Sequence, residues 1–360
     1  MMTRTLLAAV LLFISGLGVA GQGGVVLLYH HVSDTTPAST SVTPERFEQH
    51  LDYLADNDFA VWPLDRLLNH ALDPDADLPE RVVAITFDDA YESVYTEAWP
   101  RLAEKGWPMT VFVNTDAIDH GHSPYMGWDE LRELAEAGVA IENHSATHNH
   151  LLHRDDDETM DDWRQRVRAD IERAHRRIDD EIGREPTLLA YPYGEESPEL
   201  RELVEEIGYR ALSQRSGAVG PHTDPRAVPR FALAQGFDSM ERLALAANAR
   251  PLPVVSADTR PEMAMGFVQH PRAVELELAE PEGFGLGQLN CFFGTGQRLE
   301  IATETGESDA RRLSIAVDGI GRPGRNRVNC TAPAGDGSGA FYWYSFQWLQ
   351  KREDGSWPQG

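Results

Sequence analysis

Val82-Val83-Ala84-Ile85-Thr86-Phe87-Asp88-Asp89-Ala90 is the stretch that decides the fold. Arg81 to Phe87 is apolar, rich in β-branched residues and without a helical period, so it reads as a buried strand. Two carboxylates follow it directly. Outward from this strand, similar short runs alternate with amphipathic stretches from Val25 to Ala247. Val25 to Leu28, Met109 to Asn114, Val139 to Glu142 and Leu188 to Tyr191 read as strands. Pro44 to Asn57 reads as a helix capped by Thr43, and Trp128 to Ala137 as a helix stopped by Gly138. Asp155 to Ile182 reads as a long helix with the apolar stripe Trp163, Val167, Ile171, Ala174 and Ile178. Strand–helix alternation of this extent predicts an α/β domain on a parallel sheet, open or closed into a barrel.

The texture changes after Pro251-Leu252-Pro253. Ala273 to Leu278, Leu299 to Thr303, Arg312 to Val317 and Phe341-Tyr342-Trp343-Tyr344 alternate at period two between Gly- and Pro-rich turns. These predict a small all-β domain over 262–360, with Tyr342 and Tyr344 on one strand face and Trp343 on the other. That face is either core or a glycan surface; core is the better reading for a small β domain. Tyr125, Trp128 and Tyr193 lie beside the chemical clusters and are further candidates for a sugar platform. At the N-terminus, Arg4, an apolar run from Leu6 to Leu17 and the small residues Gly18-Val19-Ala20 predict a signal peptide over 1–20. An uncleaved anchor is the other reading. The mature chain would then be exported, periplasmic or secreted, with no transmembrane segment. Cys291 and Cys330 would meet an oxidising compartment and pair, or remain two buried thiols. A hydrophobic content of 41% excludes a disordered chain. The net charge of −26 argues against a nucleic-acid partner. It leaves neutral or cationic substrates open; protein partners are not legible.

Four clusters fall near predicted strand ends, where ligands of α/β sheets gather. In Thr86-Phe87-Asp88-Asp89-Ala90, neighbouring side chains point apart, so one carboxylate can bind a metal while the other accepts a proton. Alone, such a pair is also what an exposed acidic turn looks like. In His144-Ser145-Ala146-Thr147-His148, two histidines four apart share one face of a helical turn and can reach one ion. With Asp89 they would form a two-His, one-carboxylate site suited to Zn²⁺, Fe²⁺, Co²⁺ or Ni²⁺. Tyr191-Pro192-Tyr193-Gly194 is a tight turn able to present a backbone N–H to an oxyanion. Tyr29-His30-His31-Val32 places an imidazole at the end of the first strand.

In combination these clusters resemble the polysaccharide deacetylase family, which shares the NodB-type catalytic domain of carbohydrate esterase family 4. Thr86-Phe87-Asp88-Asp89 with Ser93, His144-Ser145-x-x-His148 and Tyr191-Pro192-Tyr193-Gly194 resemble its first three motifs, in order. Tyr29-His30-His31-Val32 and Ser41-Val42-Thr43-Pro44-Glu45-Arg46-Phe47 resemble the exported branch that deacetylates poly-β-1,6-N-acetylglucosamine. The resemblance implies a distorted (β/α) barrel of about seven strands over 21–252. It implies Asp88 as general base, and Asp89, His144 and His148 as ligands of a divalent metal, zinc with cobalt or nickel as alternatives. It also implies the Tyr193 N–H as oxyanion donor. Where the family's third motif begins with Arg, this chain has Ala190; Arg230, in Val228-Pro229-Arg230-Phe231, is the candidate to supply that guanidinium. The family's glycine after the Asp pair is Ala90 here, which puts the local turn in question. No late Leu-x-His motif is evident; His30 is the candidate general acid, and return of the proton to the amine by Asp88 is the alternative. The expected activity is removal of N-acetyl groups from an N-acetylhexosamine polysaccharide. The alternatives are action on peptidoglycan, chitin oligomers or O-acetyl esters, or glycan binding without catalysis.

Overall fold

The computed structural model describes residues 23–155, 157–258, 273–279, 285–294, 296–305 and 311–358. The signal peptide expected at 1–20 lies outside them. Seven parallel strands form the first sheet: β1 Val25–Tyr29, β2 Val82–Phe87, β3 Thr110–Val113, β4 Ala140–Asn143, β5 Leu188–Ala190, β6 Arg210–Leu212 and β7 Phe231–Ala232. Their order is β7-β1-β2-β3-β4-β5-β6, with the short strand Ala60–Val61 paired beside β2. The segment leading into β7 returns to β6, where Ser213 N–H donates to Val228 O and Val228 N–H to Ala211 O, each at 2.8 Å. That bridge links the two ends of the sheet, giving the distorted barrel expected from the sequence.

Alternation along the strands explains why the runs are apolar throughout. Val25, Leu27 and Tyr29 join one apolar cluster with Phe47, Leu51 and Leu243, whereas Val26, Ala84 and Phe112 join another with Leu64, Leu67 and Leu68. A parallel sheet covered on both faces needs hydrophobic residues at every position. The helices carry their expected signals. Pro44–Asp56 starts at Thr43, whose hydroxyl accepts from Arg46 N–H at 3.0 Å. The long helix runs Met160–Ile182, beginning at the Thr159 cap rather than at Asp155 and ending at left-handed Gly183. Its buried residues are the five of the expected stripe. Among the described residues, no helix is long and apolar enough to cross a membrane.

The C-terminal part forms two antiparallel-rich sheets that share an apolar core including Val274, Leu276, Ile315, Val328, Phe346 and Trp348. Arg250–Pro251 and Val254–Asp258 already pair within these sheets, ahead of residue 262. Cys291 and Cys330 sit opposite each other in register and form a disulfide. The long hairpin Gly324–Pro333/Phe341–Gln350 has two employed faces. Val328, Cys330, Tyr342, Phe346 and Trp348 enter the β core, whereas Trp343 and Leu349 pack into the apolar clusters of the α/β domain. Tyr342 and Trp343 therefore face opposite ways, both buried, and neither offers a glycan platform.

Candidate active site

The carboxyl ends of β2, β4 and β5, with the segment entering β7, bring the chemical side chains together. Asp88 is fully buried at the end of β2 and takes both guanidinium nitrogens of Arg230, at 2.7 and 2.8 Å. Arg230 is itself fully buried and donates through Nε to Ser213 O at 3.0 Å. Burial alone would push the Asp88 carboxyl up; the Arg230 charge, with His144, more than reverses this and holds it below its ordinary value. A two-pronged pair of this kind fixes the carboxylate's direction as well as its charge.

Asp89 lies past the strand end in left-handed backbone, at φ 73°, which brings its carboxylate to the same His144 nitrogen that Asp88 faces. Its Oδ1 lies 3.1 Å from His148 Nε2, 3.5 Å from His144 Nε2 and 3.4 Å from Asn114 Nδ2. His144 Nδ1 is 2.7 Å from Ala190 O, which assigns the ring proton to Nδ1 and leaves Nε2 with its lone pair. That Nε2 is buried and has no hydrogen-bond partner, and it stands 4.0 Å from Asp88 Oδ2. An orphaned, buried nitrogen beside a second imidazole and a carboxylate is the donor set of a two-His, one-Asp metal site. The three ligand atoms lie within 4.8 Å of one another, so the residues present fit a divalent ion.

The turn that joins the two histidines differs from the expected helical one. Ser145 and His148 are left-handed, at φ 65° and 54°. The turn is tied by Ser145 N–H to Asn143 Oδ1 at 2.8 Å and by His148 N–H to Ser145 Oγ at 3.0 Å. Asp89, Ala90 and Tyr193 are left-handed as well. Non-glycine residues hold such backbone only where the surroundings over-determine it, and here they cluster around one site. Ala90 thus adopts the left-handed turn that a glycine would take without strain.

His30, half-buried at the end of β1, lies in the fields of Asp89, Asp88, Arg230 and His144. Burial lowers its pKa, and the two carboxylates oppose that shift. His31 faces elsewhere, stacked on Tyr91 with centroids 3.5 Å apart, and Tyr91 stacks in turn on Tyr125 at 4.9 Å. Ser93 takes no part in the ligand set; its hydroxyl accepts from Val32 N–H at 3.1 Å. Trp128 donates to Asp119 at 2.7 Å and packs on the core, away from a platform role.

Tyr193 and Gly194 form the turn after β5, at φ 58° and 66°. Among the described residues the Tyr193 N–H donates to no protein group. The Tyr193 ring starts a ladder over His150 (3.8 Å), His153 (4.2 Å from His150) and Trp357 (4.3 Å from His153). Glu195 pairs with His150 Nδ1 at 2.9 Å. This second His/His/Glu group does not make a second metal centre in its present arrangement. Its imidazoles are stacked within 7° of parallel, so their in-plane lone pairs do not converge on one ion. Sequence reasoning missed Asn114 and the anchoring carbonyl of Ala190. A polar residue closing the β3 run was the available signal for the first; a backbone oxygen leaves none.

Residues 75–212 match the family model described as polysaccharide deacetylase. The α/β domain is a polysaccharide deacetylase domain. YxkH of Bacillus subtilis strain 168, whose name assigns it to the polysaccharide deacetylases, is 27% identical over 219 residues, 61% of this chain and 70% of its own. The poly-β-1,6-N-acetyl-D-glucosamine N-deacetylase of Staphylococcus aureus strain MRSA252 is 23% identical over 60% of this chain and 75% of its own. Two solved structures share the fold of this deacetylase domain. The Streptococcus pyogenes deacetylase PplD has a TM-score of 0.56 at 18% identity, over 63% of this chain and 99% of that one. IcaB from Ammonifex degensii has a TM-score of 0.55 at 24% identity, over 64% and 98%.

Proposed function

We propose that this deacetylase is an exported, metal-dependent hydrolase that removes N-acetyl groups from an N-acetylglucosamine-containing polysaccharide. The observation that carries this reading is the pairing of two buried carboxylates with different partners beside one imidazole nitrogen: Asp88 clamped by Arg230, and Asp89 set against His144 and His148. Binding alone requires no ionised base beside a ligand triad. The relative named for poly-β-1,6-N-acetyl-D-glucosamine supports the substrate class. The charge of −26 suits a polymer that becomes cationic as it loses acetyl groups.

Asp89, His144 and His148 would hold the ion, with cobalt and nickel as alternatives to zinc. Bound there, a divalent metal polarises the acetyl carbonyl and acidifies water. Asp88 takes one proton from the attacking water as its oxygen bonds to the acetyl carbon. Arg230 keeps Asp88 ionised and correspondingly weak as a base, so it suits a proton already made labile. The free N–H of Tyr193 donates to the oxyanion that develops on the acetyl oxygen; such a donor contributes about 3–4 kcal/mol in other acyl-transfer sites. The C–N bond then breaks as the nitrogen receives a proton, which we assign to His30 after it takes up the proton that Asp88 accepted, and acetate and a free amine leave.

Acetate release from the chain lacking residues 1–20 tests this, with β-1,6-linked N-acetylglucosamine oligomers, chitin oligomers, peptidoglycan and an acetyl ester compared. Chelated enzyme should be inert and regain turnover with Zn²⁺, Co²⁺ or Ni²⁺. Asp88→Asn should keep the metal and lose at least about 100-fold in kcat. His148→Ala should lose both. No release from any substrate despite stoichiometric metal would leave a glycan-binding protein.

A further inference from the structure

The turn at Tyr193–Gly194 is held from outside its own domain. Left-handed backbone is costly at Tyr193, and Gly194 has no room to change: a Cβ there would lie 2.4 Å from Gln214 Cβ. The carbonyls of both residues point toward the β-rich part. Arg325 donates to Tyr193 O, and Gln347 Nε2 donates to Gly194 O at 2.6 Å. The donors belong to the two strands of the long hairpin, on the face that meets the deacetylase domain. Arg327 pairs with Gln347 in register, so Arg325, Arg327 and Gln347 share that face. Next to them, Ser345 accepts from Arg215 Nη1 on its carbonyl at 2.9 Å and gives its hydroxyl proton to Ser216 O at 2.5 Å. Gln347 is buried, 6% exposed, so its bond to Gly194 forms away from competing water.

We propose that Arg325 and Gln347 are positioning residues of the active site, which the deacetylase domain therefore does not complete alone. They act through the Tyr193–Gly194 turn: by fixing its two carbonyls they hold the turn in which Glu195 N–H donates to Pro192 O, the carbonyl of the peptide that carries the Tyr193 N–H, and so aim that N–H at the oxyanion. This rests on the deacetylase reading for its catalytic consequence, but not for its structural one. Without the two donors the turn relaxes, the N–H loses its aim, and the loss falls on the transition state rather than on substrate or metal binding.

The test uses the full mature chain carrying Arg325→Met and Gln347→Leu, singly and together, with Arg325→Lys as the conservative variant. Two measurements are made. Hydrogen exchange of the Gly194 and Glu195 amides, followed by mass spectrometry or NMR, reports the turn directly and needs no turnover. At least tenfold faster exchange in the double variant is expected, with amides of β2 and β3 unchanged; equal exchange overturns the proposal. Steady-state acetate release should show kcat down 10- to 100-fold, with KM and Zn²⁺ affinity within twofold and Arg325→Lys largely restored. An unchanged kcat, or a loss that tracks loss of metal, overturns it as well. A wild-type chain that binds metal but releases no acetate counts against the function proposed above, and exchange then decides the positioning claim alone.

Discussion

Arg230 and Asp88 form the pair on which the chemistry turns, and 142 positions separate them in the chain. Both are buried to 0% exposure, so neither charge is tolerable without the other. Replacing Arg230 with Met leaves the buried Asp88 with only His144 and His30 to oppose its desolvation. Its pKa then rises, because burial is no longer opposed by the guanidinium. The proton acceptor is lost as pH falls through that raised value, so the acidic limb of the kcat/KM profile should move to higher pH. Turnover at neutral pH should fall by 100-fold or more and recover partly on the alkaline side. A pH–rate profile unchanged in shape would show that Asp88 is not the group that titrates. The sequence made this pair a candidate through the strand end at Val228-Pro229-Arg230, but not its bidentate geometry. The His144–His148 turn was less legible. Its left-handed positions are held by Ser145 and His148, and neither carries the glycine signal that announces such backbone.

At the scale of elements, the junction of β4 and β5 rests on one carboxylate. Glu142 Oε2 accepts the N–H groups of Thr187 and Leu188 at 2.8 and 2.7 Å, pinning the start of β5 beside β4. Burial pushes its pKa up to about 7, and those two N–H groups reduce the shift. The sign follows from linkage: the folded chain holds the Glu142 proton more tightly than the unfolded one, whose value is about 4.3. The contribution is fully present below that value and is lost as pH rises toward 7. Glu142→Gln keeps an oxygen for both N–H groups and removes the charge. It should be more stable than wild type at pH 8 by about 1 kcal/mol, roughly 2–4 °C in Tm, with the difference vanishing near pH 4. Equal Tm values at pH 8 would show that Glu142 ionises without strain. Strand identity was legible because buried parallel strands are continuous apolar runs. Strand ends were less so, since Tyr29 and Asn143 extend β1 and β4 by one residue beyond the expected boundary.

At the scale of the whole molecule, the two units share side chains. Every residue from Phe341 to Ser345 except Ser345 is aromatic, and the run continues Phe346-Gln347-Trp348-Leu349. Period two divides such a run into two faces, but when both faces are apolar it does not say which neighbour each one serves. The structure sends Tyr342, Phe346 and Trp348 to the β core, and Trp343 and Leu349 to the deacetylase domain. Trp343 is 8% exposed, sits edge-on to Phe231 of β7 at 5.2 Å and lies under Arg242 at 5.1 Å. Arg215 of the deacetylase domain finds Ser345 O as one of its partners. A chain cut after residue 250 would therefore expose the β7 side of the deacetylase core and leave a buried arginine short of an acceptor. The two units should unfold together, in one calorimetric transition whose van't Hoff and calorimetric enthalpies agree. Trp343→Ala should lower the stability of that single transition by about 3–5 kcal/mol. It should not split it, because Leu349, Arg215 and the pairing of Arg250–Pro251 with the hairpin still tie the halves. Two separate transitions in the wild-type chain, or a truncated chain with native stability, would mean that the shared residues pack without coupling the units.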